Sequence, residues 1–79
     1  MNVFILVTKD CNHRPLVEEQ LKKMNVSYEV RYVDEHSELV KKFGAHSSPN
    51  IIVNGKVAFR ANHERSLPTE GELETIFSY

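Results

Sequence analysis

The residues best suited to chemistry lie together in a short segment after the first apolar run of the chain. Cys11 is the only cysteine among 79 residues, and His13 and Arg14 follow it closely. A cysteine acts as a nucleophile in its thiolate form, which neighbouring cationic groups stabilise. His13 and Arg14 would stabilise such an anion at Cys11, which makes these three residues the candidates for catalysis. Lys9 adds positive charge to the segment and Asp10 opposes it.

A second interpretation of these residues stays open. A lone cysteine at the end of a buried strand is often a small core residue, and an arginine is as often a solvated surface charge as a site residue. Metal binding by Cys11, His13 and His46 is disfavoured because their spacing is unlike that of zinc sites, so we predict no metal. His36 and His63 are interpreted as surface residues.

The composition predicts one domain over residues 1–79, with no nucleic-acid or membrane partner. The chain is 41% hydrophobic and 27% charged, and its formal charge is -1, so it has no basic field for nucleic acid or anionic lipid. Its first apolar run is too short for a signal peptide or a membrane span. One cysteine cannot form an internal disulfide, so a reducing, cytoplasmic location is expected. The oligomeric state is not predicted.

Hydrophobic periodicity predicts the first half of the fold. Residues 3–7 form a continuous apolar run, typical of a strand covered on both faces. Pro15 suits the first turn of a helix over about residues 15–24, which leaves Cys11 in the preceding loop if the helix begins at the proline. Residues 28–32 alternate as a strand, and Tyr28 and Tyr32 are interpreted as sheet residues under a helix.

The second half of the sequence contains the more specific local motifs for helix ends and turns. Asp34 is predicted to cap a second helix, which Gly44 ends. Asn54-Gly55 between two apolar runs predicts an antiparallel hairpin. Thr69 with Glu72 matches a capping box for a last helix. The predicted order is β-α-β-α-β-β-α, an α/β class with a four-stranded mixed sheet and helices on both faces.

Two segments resemble thioredoxins and glutaredoxin-like proteins. Residues 38–57 are similar to the second half of these proteins: a helix ending in Phe-Gly, a loop, a proline, an apolar strand and an Asn-Gly-Lys hairpin. The segment from Cys11 to Arg14 falls where the family carries Cys-x-x-Cys, so Arg14 stands in place of the resolving cysteine. The resemblance extends over nearly the whole chain and implies a thioredoxin-like fold.

The resemblance also implies an activity. Ser48-Pro49 is expected to be a cis bond, and Lys9, Ser48 and Pro49 are the implied substrate-binding residues beside Cys11. The implied reaction is monothiol thiol-disulfide exchange with a protein or a low-molecular-weight thiol or disulfide. No bound cofactor is expected, and glutathione is the candidate co-substrate, although the family's Gly-Gly-Ser/Cys-Asp signature is absent.

Two rival functions are weighed against exchange, so the sequence leaves open whether the chain is an enzyme. The first rival is a redox-inactive module that binds a peptide or protein at the edge formed by Cys11 and Pro49. The second is metal-cluster handling, which is weaker because the Cys-Gly-Phe-Ser motif of monothiol glutaredoxins is absent.

Overall fold

A computed structural model describes residues 2–45, 47–62 and 64–77 of the chain. Its regular elements, in chain order, are β1 (Val3–Val7), α1 (Arg14–Lys23), β2 (Glu29–Tyr32), a 3-10 turn (Val33–Glu35), α2 (Ser37–Phe43), β3 (Asn50–Val53), β4 (Lys56–Arg60) and α3 (Glu70–Phe77). The strands form one sheet in the order β2-β1-β3-β4. The predicted α/β class and element order are confirmed.

The centre of the sheet is β1, whose five residues are all buried. It pairs in parallel with β2 and antiparallel with β3. Successive strand side chains point to opposite faces, so alternate residues of β1 serve two separate cores. Ile5 and Val7 pack with α1 and α3, whereas Phe4 and Leu6 pack with α2.

The helices form a layer on each face of the sheet. Val17 of α1 and Leu73 of α3 are buried in the first core. Leu39 and Phe43 of α2 cover the second core, where the rings of Phe4 and Phe43 meet edge to face with centroids 6.2 Å apart. No helix within the described ranges is long and apolar enough to cross a membrane.

The predicted turn chemistry is confirmed at two positions. Asn54 and Gly55 have φ angles of 51° and 79°, the left-handed pair that a two-residue hairpin requires. Gly44 ends α2 with a φ of 61°, where a side chain would be strained.

Two predicted helix starts need correction. Asp34 does not cap α2: it lies within the 3-10 turn, its carboxylate pairs with Lys9, and His36 occupies the N-cap position. The helix α1 begins at Arg14, one residue before the predicted Pro15, although the residue before a proline is biased away from helical geometry.

The capping box of α3 is confirmed in both directions. The Thr69 Oγ1 accepts a hydrogen bond of 3.1 Å from the Glu72 N–H, and the Glu72 Oε1 accepts one of 3.0 Å from the Thr69 N–H. These bonds satisfy N–H groups at the start of a helix that supplies Leu73 and Phe77 to the core.

We expect Thr69→Ala to lower the free energy of unfolding by about 1 kcal/mol, because an N-cap hydroxyl is lost. Urea denaturation followed by circular dichroism measures the change. Thr75→Ala is the matched control, since Thr75 is exposed on the same helix, and should change stability by less than about 0.5 kcal/mol. Equal effects of the two substitutions would contradict the assigned role of the cap.

Candidate functional site

The candidate site lies where β1 ends beside the start of β3. Leu6 pairs with Asn50 in the antiparallel register, so the residues after β1 lie next to the residues before β3. The Thr8 N–H donates to the Ser48 Oγ at 3.2 Å, and the Thr8 carbonyl accepts from the Cys11 N–H at 3.2 Å. The backbone of Thr8 therefore joins the loop between β1 and α1 that contains Cys11 (the Cys11 loop) to the loop before β3 that contains Ser48 and Pro49 (the proline loop).

Cys11 is partly exposed and packs against the core that α1 and α3 share. It precedes α1 by three residues and belongs to the loop between β1 and that helix. Cys11 is therefore neither fully buried nor fully exposed, and partial exposure is typical of reactive cysteines.

The proline loop is held in place from several directions. The Ser48-Pro49 bond is cis, as predicted, and Pro49 is buried. The Pro49 carbonyl accepts from the Ala61 N–H at 3.2 Å, and the Ser47 hydroxyl donates to the Ala61 carbonyl. The segment that follows β4 therefore supports this loop.

Asn50 is a site residue that our sequence analysis did not single out. Its side chain is 1% exposed, and its Nδ2 donates to the Leu6 carbonyl at 3.1 Å and to the Ser47 carbonyl at 2.6 Å. Its Oδ1 is buried without a hydrogen-bond partner among the described residues. One amide thus fastens the proline loop to the end of β1. In the sequence, Asn50 is recognisable as a polar residue between a proline and an apolar run, which is the pattern that could have identified it.

A tight turn connects Cys11 to α1. The Arg14 N–H donates to the Cys11 carbonyl at 3.3 Å, and the Leu16 and Val17 N–H groups donate to the His13 carbonyl at 3.1 and 3.0 Å. Pro15 has no N–H to offer. The first N–H groups of α1 therefore have backbone partners already. His13 is the N-cap residue, and its side chain makes no capping bond.

Arg14 is held by an ion pair on its own helix. Its Nη1 lies 2.6 Å from the Glu18 Oε2, and the Tyr28 hydroxyl donates to the Glu18 Oε1 at 2.7 Å. Both carboxylate oxygens of Glu18 are thus occupied. Arg14 and Glu18 are four residues apart and therefore neighbours on one face of the helix, so this pairing could be predicted from the sequence.

Tyr28 is locked in its neutral form by this arrangement. Burial raises the pKa of Tyr28 to about 12, the hydrogen bond to Glu18 and the charge of that carboxylate act in the same direction, and Arg14 opposes them. The hydroxyl therefore remains a donor throughout the physiological range.

Lys9 directs its charge toward the turn after β2. Its Nζ lies 3.1 Å from the Glu35 Oε2 and 3.6 Å from the Asp34 Oδ2. The hydrogen bond to Glu35, followed by the charges of Asp34 and Glu35, raises the pKa of Lys9. The groups are exposed, so these contacts orient Lys9 more than they stabilise the fold.

A groove of about 360 Å³ opens beside the site on the α2 side of the sheet. Thr8 and Ser47 form its end nearest the proline loop, and Val33, Val40 and Ala45 supply an apolar lining. Asp34, Ser37 and Lys41 also line it. A groove of this volume is large enough to hold one amino-acid side chain.

The structure thus brings Cys11, Ser48 and Pro49 together through Thr8, and it places His13 and Arg14 in the turn that follows the cysteine. It pairs the charges of Lys9 and Arg14 with carboxylates. Among the described residues, no group of three His, Cys, Asp or Glu side chains is placed to hold a metal ion. His46 and His63 lie outside the described residues.

The mixed sheet between two helix layers, with a cysteine after β1 and a cis-proline before β3, defines a thioredoxin-like protein. The chain belongs to the thioredoxin domain family, whose model matches residues 1–78. This membership confirms the fold predicted from the resemblance.

Solved structures support the same assignment. The crystal structure of the thioredoxin-like protein BC3987 is similar, with a TM-score of 0.65 and 25% sequence identity, and covers 76% of this chain and 86% of that chain. A point mutant of BC3987 has the same TM-score and identity over 76% of this chain and 85% of its own. No curated protein matches the chain significantly.

We expect Asn50→Asp to destabilise the domain by about 2 kcal/mol or more, because it removes the donor shared by two carbonyls at a buried position. Chemical denaturation at neutral pH measures the loss. Asn12→Asp is the control, because Asn12 is exposed, and its effect should stay within about 0.5 kcal/mol. A variant at position 50 as stable as the native chain would show that these bonds do not hold the proline loop.

Proposed function

We propose that this domain carries out monothiol thiol-disulfide exchange through Cys11. The observation that supports this most directly is the position of Cys11. It is partly exposed and joined through Thr8 to the loop that contains the cis Ser48-Pro49 bond. Family membership supports the proposal of thiol chemistry, and the single cysteine limits such chemistry to exchange with an outside thiol.

The reaction has two displacement steps. In the first, the Cys11 thiolate attacks one sulfur of a disulfide RSSR, a Cys11–SR bond forms, and the S–S bond of RSSR breaks to release RS⁻, which takes up a proton. In the second, an outside thiolate attacks the SR sulfur, and the Cys11 thiolate leaves. Electrons balance, because the outside thiol is oxidised as the original disulfide is reduced. Glutathione is the candidate outside thiol in a reducing compartment.

We assign substrate docking to the edge formed by Cys11 and Pro49, which is called the docking edge below. Ser48 and Pro49 would orient the chain that carries the disulfide, and the groove lined by Val33 and Val40 would accept a side chain of that substrate. In the described part of the chain, the N–H groups of Asn12 and His13 make no backbone hydrogen bond. Under the proposed function, these N–H groups are the candidate donors to the Cys11 thiolate.

A redox-inactive binding module is the second candidate. The contacts of Arg14 favour it, because Glu18 and Tyr28 make position 14 part of the packing between α1 and the start of β2. Under this alternative the docking edge and the groove bind a peptide without chemistry at Cys11. The two functions differ in whether Cys11 forms a mixed disulfide.

The reduced protein is expected to form a mixed disulfide at Cys11 with hydroxyethyl disulfide, and added glutathione should restore the free thiol. Intact-protein mass spectrometry follows both steps, and Cys11→Ser should abolish the adduct completely. Coupled turnover with glutathione should exceed the uncatalysed exchange. A native protein whose thiol stays free in a large excess of the disulfide would favour the binding module.

Arg14→Cys should create a dithiol site that closes an internal disulfide under mild oxidation. Residues 11 and 14 are the ends of a hydrogen-bonded turn, and such turns bring their end Cα atoms within about 7 Å, close to the disulfide range. Mass spectrometry should show the loss of two hydrogens and of both free thiols. Glu19→Cys, an exposed position on the same helix, should form only intermolecular products. If Arg14→Cys also forms only intermolecular products, the turn between residues 11 and 14 has lost the redox geometry of the family.

A further inference from the structure

The two cations nearest to Cys11 in the sequence both have carboxylate partners in the structure. Arg14 is 32% exposed and Glu18 is 18% exposed, so their ion pair is partly shielded from solvent. Tyr28 fixes the second oxygen of Glu18, which prevents that carboxylate from turning away. A charge paired at 2.6 Å acts at a distance as a weak dipole and no longer as a free cation.

The remaining charges near the site are of mixed sign, and the one next to Cys11 in the sequence is negative. Lys9 lies between two carboxylates, and Asp10 adds a further negative charge directly before Cys11. Lys41, in the groove, is a cation without an ion pair among the described residues. Arg60, which donates to the Phe43 carbonyl, likewise has no ion pair among the described residues. Asp10 has none either, so with Lys9 and Arg14 paired it is the unpaired charge nearest to Cys11 in the sequence.

We propose that Glu18, held by Tyr28, withholds the charge of Arg14 from Cys11 and thereby makes the site select cationic or neutral disulfides over anionic ones. Glu18 is a positioning residue, because it acts on the substrate through Arg14. The substrate class is then a polypeptide or small disulfide with basic groups near the reacting sulfur. Anionic disulfides such as glutathione disulfide are disfavoured as electron acceptors, and the same repulsion slows the attack of the glutathione thiolate on the mixed disulfide. This selectivity deepens the proposed function and rests on it.

Charged methanethiosulfonates of similar size test this selectivity. These reagents transfer an alkylthio group to any accessible thiolate and release a sulfinate, so their rates report the field at Cys11 without requiring turnover. The rates with a cationic trimethylammonium reagent, a neutral reagent and an anionic sulfonate reagent are measured at about pH 8, above the usual range of imidazole titration. Each rate is divided by that of 2-mercaptoethanol under the same conditions.

For the native protein, the normalised rate should be about threefold to tenfold higher for the cationic than for the anionic reagent at low ionic strength. This ratio should fall toward one at about 1 M salt, where the screening length is about 3 Å. A ratio of one or less at low salt would overturn the proposal without any variant. Failure of Cys11 to react with all three reagents would overturn it as well.

Glu18→Gln should lower the cationic-to-anionic ratio severalfold, because it removes one negative charge and frees Arg14. Glu19→Gln is the matched control: it makes the same charge change one position away at an exposed residue, and it should alter the ratio much less. Tyr28→Phe keeps every charge and should give a smaller shift in the same direction as Glu18→Gln. Equal effects of the substitutions at positions 18 and 19 would show that only net charge matters and that Glu18 has no positioning role.

The outcomes separate this inference from the proposed function. If hydroxyethyl disulfide leaves no adduct while the thiosulfonates show the predicted ratio, exchange fails and the charge selectivity of the thiol stands. If exchange proceeds and the thiosulfonate ratio is inverted, the proposed function stands and the role of Glu18 is wrong.

Discussion

The burial of β1 on both faces is the constraint on which the rest of the structure depends. A strand with five buried residues must satisfy its backbone groups by pairing on both edges, and it needs a helix layer on each side. Its register with β3 aligns Leu6 with Asn50 and brings Thr8 to Ser48. Cys11 follows three residues later, so the position of the thiol relative to the proline loop is set by the most buried segment of the chain. A site supported by a central strand is held more accurately than one supported only by loops.

The guanidinium of Arg14 needs a charged partner within the fold, which a cysteine at position 14 would not need. A guanidinium that is 32% exposed loses much of its hydration and needs a compensating carboxylate. Glu18 provides it from the next turn of α1, and Tyr28 anchors that carboxylate from the segment before β2. The Arg14 Nε is nevertheless buried without a hydrogen-bond partner among the described residues. Because one network serves both packing and charge, a substitution at position 14 alters the support of α1 together with the electrostatics of the thiol.

Features decided within a few residues could be predicted from the sequence, whereas features decided by distant contacts could not. The hairpin at Asn54-Gly55 and the capping box at Thr69 depend on local backbone chemistry, and both are confirmed. The proximity of Cys11 to the proline loop depends on a sheet register that only the family resemblance supplied. Asp34 has the local properties of an N-cap, but the tertiary contact with Lys9 and the intervening 3-10 turn override them. The Arg14–Glu18 pair was local enough to predict.

The hydrogen bonds around Cys11 also bear on how exchange would proceed. The first N–H groups of α1 are taken by the carbonyls of Cys11 and His13, and Lys9 and Arg14 are paired with carboxylates. These N–H groups and cations therefore have partners other than the thiolate. Under the proposed exchange, formation of the mixed disulfide at Cys11 then depends on how well a disulfide docks beside the proline loop. Because the chain has one cysteine, release of the mixed disulfide depends on an incoming thiol and on its fit to the same edge.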